Sequence, residues 1–201
     1  MALSKIQAES MNLADTYAFS GTVSGVGMDL LLNDTISSST ANYIISSTYI
    51  NGSYDSYHLD ATFLPVLDSK YLYGEVYVGG SLITSSSYAY EVQVLGAAYS
   101  SGGFNSNGDS VLNIFNTAGA GSADGEGATI SVTYQNINST TKPVCSSGFT
   151  NHFNSSGNHE GYAFTGSMTV ANKASVVNGL RFRFSTGDIA SGSVKLYGLR
   201  K

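Results

Sequence analysis

The feature that most constrains this chain is alternation of apolar and polar residues, repeated in short segments between Gly, Ser and Asn turns. "YHLDATF" (57–63) sets Tyr57, Leu59, Ala61 and Phe63 on one side, and His58, Asp60 and Thr62 on the other. "YLYGEVYV" (71–78) divides Leu72, Val76 and Val78 from Tyr71, Tyr73, Glu75 and Tyr77. "YAYEVQV" (88–94) aligns Tyr88, Tyr90, Val92 and Val94, and "ATISVTY" (128–134) aligns Ile130, Val132 and Tyr134. "YAFTGSMTV" (162–170) aligns Tyr162, Phe164, Met168 and Val170. "GLRFRFS" (179–185) turns Leu180, Phe182 and Phe184 inward and Arg181 and Arg183 outward, and "GSVKLYGLR" (192–200) follows it.

A side-chain period of two belongs to strands, because a helix cannot gather such a set on one face. Each strand then carries an apolar face that a second sheet must cover. The pattern predicts an all-β fold, an antiparallel β-sandwich of jelly-roll-like form over residues 28–201, with an extended N-terminal arm. Composition agrees: charged residues make up only 11% of the chain, while Gly numbers 23 and Tyr 14. Polarity supplied by Ser, Thr, Asn and Gly suits strands and turns. The Gly-rich connections at 100–109 and 117–127 are expected to be exposed loops.

Residues 1–27 have a different texture. Ile6, Met11, Leu13, Tyr17 and Phe19 recur without a helical stripe, and "FSGTVSGVG" reads as an extended linker. An arm this apolar is expected to dock on something, since short termini order only when tied down.

The segment "TNHFNSSGNHEGY" (150–162) holds two of the three histidines. His152 and His159 are separated by six residues, which fits neither the i,i+4 pair of a helical zinc motif nor the i,i+2 pair of a strand. With Glu160 the one nearby carboxylate, the segment reads as a solvated hairpin loop, with no catalytic or metal role. "NSNGDS" (105–110) and "GSADGEGA" (121–128) lack the ligand series of a calcium loop and read as ordinary turns. Asp60, Asp68 and Glu75 could pair for glycoside hydrolysis only if the fold brought them together. No nucleophile elbow, phosphate loop or dinucleotide fingerprint occurs, so no catalytic residue and no cofactor is expected.

The net charge of −5 and the absence of any Lys/Arg run argue against nucleic acid as a partner. Gln7, Glu9, Asn12 and Asp15 interrupt any signal-peptide core, and no stretch approaches the ~20 apolar residues of a membrane helix. The lone Cys145 cannot form an internal disulfide, which fits folding in a reducing cytoplasm. The sequons at Asn33, Asn51, Asn138 and Asn154 follow from a Ser/Thr/Asn-rich composition.

Three stretches carry a resemblance. "ALSKIQAESMNLADTYAFSGTV" resembles N-terminal segments of small fibre and appendage proteins of aquatic tailed bacteriophages. "VVNGLRFRFSTGDIASGSVKLYGLRK" is similar to the closing hairpin of β-rich domains in such virion proteins, and "SYDSYHLDATFLPVLDSKYLYGEVYVGG" to their opening strand pair. The resemblance implies a non-enzymatic protein of the virion surface, made in the host cytoplasm and joined to capsid or tail proteins by its arm. It implies a projecting homotrimer that touches a host-surface glycan or protein, as a short head or tail fibre does. A capsid decoration protein that cements the shell is the first alternative, and a glycan-degrading spike the second. Ile6, Met11, Leu13, Tyr17 and Phe19 are then the candidate virion-attachment residues.

Overall fold

The computed structural model describes residues 27–95, 102–115, 119–169, 172 and 174–199. The attachment arm expected over 1–27, with all five of its apolar residues, lies outside the described residues except for Gly27.

Among the described residues the regular structure is entirely strand. In chain order the strands are β1 (Met28–Ile36), β2 (Tyr43–Ile45), β3 (Ser56–Pro65), β4 (Leu72–Val78), β5 (Ser81–Leu82), β6 (Tyr88–Val94) and β7 (Gly103–Asp109). They continue with β8 (Leu112–Asn113), β9 (Gly127–Gln135), β10 (Cys145–Phe153), β11 (His159–Met168), β12 (Val177–Phe184) and β13 (Ile189–Leu199). An eight-stranded sheet runs β1-β13-β3-β9-β10-β11-β6-β7, and a smaller one runs β2-β12-β4-β5 with β8 also on β4. Every pairing is antiparallel.

Four of these pairings define the topology. β1 pairs β13, β2 pairs β12, β3 pairs β9 and β4 pairs β8. Those are the rungs of one long antiparallel ribbon, rolled so that successive rungs fall in alternate sheets. That is a jelly roll, with β1-β13-β3-β9 facing β2-β12-β4-β8. Two insertions enlarge it. β5–β7 enter between β4 and β8, and β10–β11 between β9 and β12, and four of these strands extend the larger sheet.

The inward sets follow the alternation. Tyr57, Leu59, Ala61 and Phe63 of β3 are buried, as are Tyr88, Tyr90, Val92 and Val94 of β6 and Leu180, Phe182 and Phe184 of β12. Phe63 stacks on Phe182 across the two sheets, ring centroids 5.6 Å apart. Burial of side chains this size contributes about 1.5–3 kcal/mol each before ordering costs. Beyond the jelly-roll rungs, Leu112 and Phe115 cover the inner side of the extension. Phe115 stacks on His152, and Leu112 fills the space above Gly166, where a Cβ would lie 2.3 Å from Leu112 Cδ1.

Two connections differ from expectation. Residues 103–109 form β7 rather than a loop, because an edge strand of the extension needs only one neighbour and little apolar content. Ala120, expected in an exposed loop, is fully buried and bridges Lys70 on one side and Asn154 on the other. β1 went unforeseen, since "MDLLLNDTI" does not alternate; a register shift between Leu30 and Leu32 accommodates the leucine run.

Candidate functional site

The 150–162 segment is a hairpin, but not a solvated one. His152 on β10 and Glu160 on β11 are cross-strand partners on the inner face, 1% and 0% exposed. The imidazole stacks on Phe115 (4.2 Å) and lies near-parallel to Tyr162 (5.5 Å), the three rings forming a cluster in which Phe115 and Tyr162 are 5.9 Å apart, and its Nε2 is 3.7 Å from Glu160 Oε2. The Tyr162 hydroxyl donates to the same carboxylate, and Asn154 Nδ2 donates to Glu160 Oε1 at 2.9 Å. A buried carboxyl is tolerated only when hydrogen-bond partners surround it in this way. Asn154 also fixes the turn, its Oδ1 accepting from Ser156 N (2.9 Å) and Asn158 N (3.1 Å). The expectation of a solvated loop therefore holds for residues 155–158 and for exposed His159, and fails for His152, Asn154 and Glu160. Alternation places His152 and Glu160 inward, and the aromatic and amide partners that make this tolerable come partly from distant Phe115.

The three carboxylates weighed for hydrolysis do not converge. Asp60 projects from the outer face of the larger sheet, and Glu75 from the outer face of the smaller one. Asp68, in the β3–β4 connection, accepts from Ser122 N and Oγ, both at 2.8 Å, and these hydrogen bonds hold its carboxyl below the ordinary value. Glu75, 3% exposed, is clamped by Arg181 (2.7 and 2.8 Å) and Arg183 (3.0 Å). That bidentate bond raises the Arg181 pKa. Both arginines are half-buried rather than free, and Arg183 also covers the Tyr73 ring at 5.0 Å. The Tyr73–Glu75–Tyr77 face is thus partly closed by the arginines of its neighbouring strand. The two oxygen-rich segments hold themselves together as well: Asp109 accepts from Tyr90 and Ser110, and Glu126 from Ala123. No group of three or more His, Cys, Asp and Glu gathers to hold a metal among the described residues.

The remaining site is a groove of about 910 Å³ on the outer face of the larger sheet. Register builds it in two parallel rows. One row crosses β3, β9, β10, β11, β6 and β7 as His58, Thr133, Ser147, Thr165, Glu91 and Asn105. The next row crosses the same strands as Asp60, Ser131, Phe149, Ala163, Gln93 and Gly103. Phe149 is 59% exposed, and its cross-strand neighbours are the small Ser131 and Ala163. A bare ring therefore stands within a field of hydroxyl, amide and carboxylate groups.

At one end of the groove His58 Nδ1 lies 3.0 Å from Thr133 Oγ1, and its Nε2 lies 3.2 Å from Asp60 Oδ1. A hydroxyl, an imidazole and a carboxylate in that order also describe an activated nucleophile. Here all three sit on interior strands whose backbone N–H groups are engaged in the ladders on both sides. The ladders of these interior strands therefore leave no convergent backbone donors beside the trio. Sequence reasoning marked these residues as outward-facing but did not bring them together. The neighbours of Phe149 come from strands whose order alternation does not encode.

Comparison with protein-family models, curated proteins and solved structures finds no significant match to this chain. Fold and site define its class on their own: a jelly-roll β-sandwich whose enlarged sheet carries an open, polar, aromatic-centred groove.

Proposed function

We propose that this chain is a non-enzymatic surface protein of a tailed-phage particle, and that its enlarged sheet binds a glycan of the host surface. On this reading residues 1–27 attach it to capsid or tail proteins through Ile6, Met11, Leu13, Tyr17 and Phe19, and the β-domain projects as a homotrimer. The observation that carries the binding role is the groove, with exposed Phe149 amid cross-strand rows of Ser, Thr, Asn, Gln and Glu. Rigid aromatic rings suit the C–H face of a sugar, and amides and carboxylates suit its hydroxyls. The resemblance of the chain's two ends and its opening strand pair to virion fibre proteins supplies the setting.

The test is competition. Purified full-length chain, added in excess to host cells, should occupy the surface saturably and slow adsorption of the particle. Periodate oxidation of the cells' vicinal diols should abolish that occupancy. Adsorption unchanged at saturating chain would overturn the proposal.

A further inference from the structure

The make-up of the groove points to one ligand class. Among its described lining residues Glu91 supplies the carboxylate, His58 the imidazole, and no Lys or Arg is present. Asp60 adds a second carboxylate at the His58 end, 3.2 Å from the ring. The chain as a whole carries a net charge of −5. A polyanion laid in the groove would meet Glu91 with no guanidinium or ammonium among the lining residues, since the Lys195 of β13 stands opposite Asp60 beyond that lining, and the ligand would lose its hydration without ionic partners. The face is not apolar either, since every cross-strand neighbour of the two rows except Phe149, Ala163 and Gly103 ends in a hydroxyl, amide, carboxylate or imidazole. Its shape is elongated, spanning six strands, or roughly 24 Å at the usual inter-strand spacing.

We infer that the groove takes an extended neutral polysaccharide, with one sugar ring stacked on Phe149 and its neighbours hydrogen-bonded by Glu91, Gln93, Thr165 and Asn105. This rests on the reading that the enlarged sheet binds a host glycan, and it adds the chemical class. Uncharged sugars present hydroxyls that both donate and accept, which matches the mixed donors and acceptors of this face. Discrimination against acidic glycans comes from the carboxylates, by leaving the ligand's charge unpaired. Binding without ion pairs should also be nearly independent of salt.

The experiment measures retention of the full-length chain on immobilised polysaccharides: a glucan, a galactan and a mannan as neutral probes, polygalacturonate and a sulfated galactan as acidic ones. We expect retention by at least one neutral polymer, insensitive to salt, and none by the acidic pair. Phe149→Ala should weaken that retention by about tenfold or more, and Phe149→Tyr should preserve it. Glu91→Gln should raise retention on polygalacturonate. Because Phe149 is exposed, matching unfolding midpoints for the variants would exclude misfolding as the cause. Phe149-dependent binding to an acidic polymer would overturn the neutral class while leaving the glycan-binding face intact. No retention on any polymer, or retention indifferent to Phe149→Ala, would overturn the inference; competition on host cells would then decide separately whether another surface adsorbs.

Discussion

His152 and His159 lie seven positions apart on one hairpin, and their environments are opposite. The first is clustered with Phe115 and Tyr162 in the interior, while the second is exposed with its ring 5.4 Å from that of Phe153. His152→Ala removes a packed ring and leaves Glu160 with one neighbour fewer, so it should cost about 2–4 kcal/mol. His159→Ala should stay within about 0.5 kcal/mol. Urea unfolding of the two single variants measures the contrast directly. Tyr88 and Tyr90 give a second residue-level expectation. Burial pushes both phenols up to about 12, and for Tyr90 the hydrogen bond to Asp109 adds to the effect. A group whose pKa is raised on folding binds its proton more tightly in the native state. Its contribution to stability is therefore complete below the unfolded value near 10 and is lost as pH rises from there towards about 12. The urea midpoint should fall across that window, and phenolate absorbance from these two tyrosines should emerge with unfolding rather than before it.

At the level of elements, alternation located the strands that carry the core. β3, β6, β9 and β12 have the inward sets that "YHLDATF", "YAYEVQV", "ATISVTY" and "GLRFRFS" prescribe. Strands of two or three residues, such as β5, β8 and β2, are too short to show a period. β7 sits at a sheet edge with Phe104 as its one large apolar residue, and β1 absorbs its leucine run in a register shift, so neither displays alternation. His152 and Glu160 were misread because such residues are seldom buried unless paired, and the pairing is visible only in three dimensions. Close strand approach makes its own demand. A Cβ on Gly148, on the inner side of β10, would lie 2.2 Å from the Ser131 carbonyl oxygen of β9. Gly148→Ala must push these strands apart and should destabilise by about 1–3 kcal/mol. Gly52→Ala has nothing within 4 Å of the new methyl and should change stability by less than about 0.5 kcal/mol. Denaturant titration of the pair separates a steric requirement from a general intolerance of glycine replacement.

At the scale of the whole molecule, the rolled ribbon from β1/β13 to β4/β8 would by itself give two sheets of similar width. The inserted strands make them unequal, and the groove lies across β3, β9 and the four added strands. Fold alone does not specify function, and it is this widened face, with its polar rows and exposed ring, on which the proposed binding role rests. Sequence patterning could say which side chains point outward; it could not say that β10, β11, β6 and β7 stand side by side, because that order depends on pairings across the chain. If residues 1–27 attach the domain to the particle, deleting them should yield a folded β-domain that is no longer incorporated into virions, with light scattering of the full chain giving the mass of three copies. Equal incorporation of the truncated chain would remove the anchoring role, and a monomer at micromolar concentration would remove the trimer. The central claim is that the outer face of the larger sheet is the binding face. Backbone amide shifts of the isotopically labelled full chain, titrated with oligosaccharides cut from the host's surface polysaccharide, test it most directly. The account predicts that the largest changes map to Phe149, Thr165, Glu91, Gln93 and Asn105. Changes confined to Arg181, Arg183 and Tyr77 on the opposite face, or to the loops at the ends of the sandwich, would contradict it.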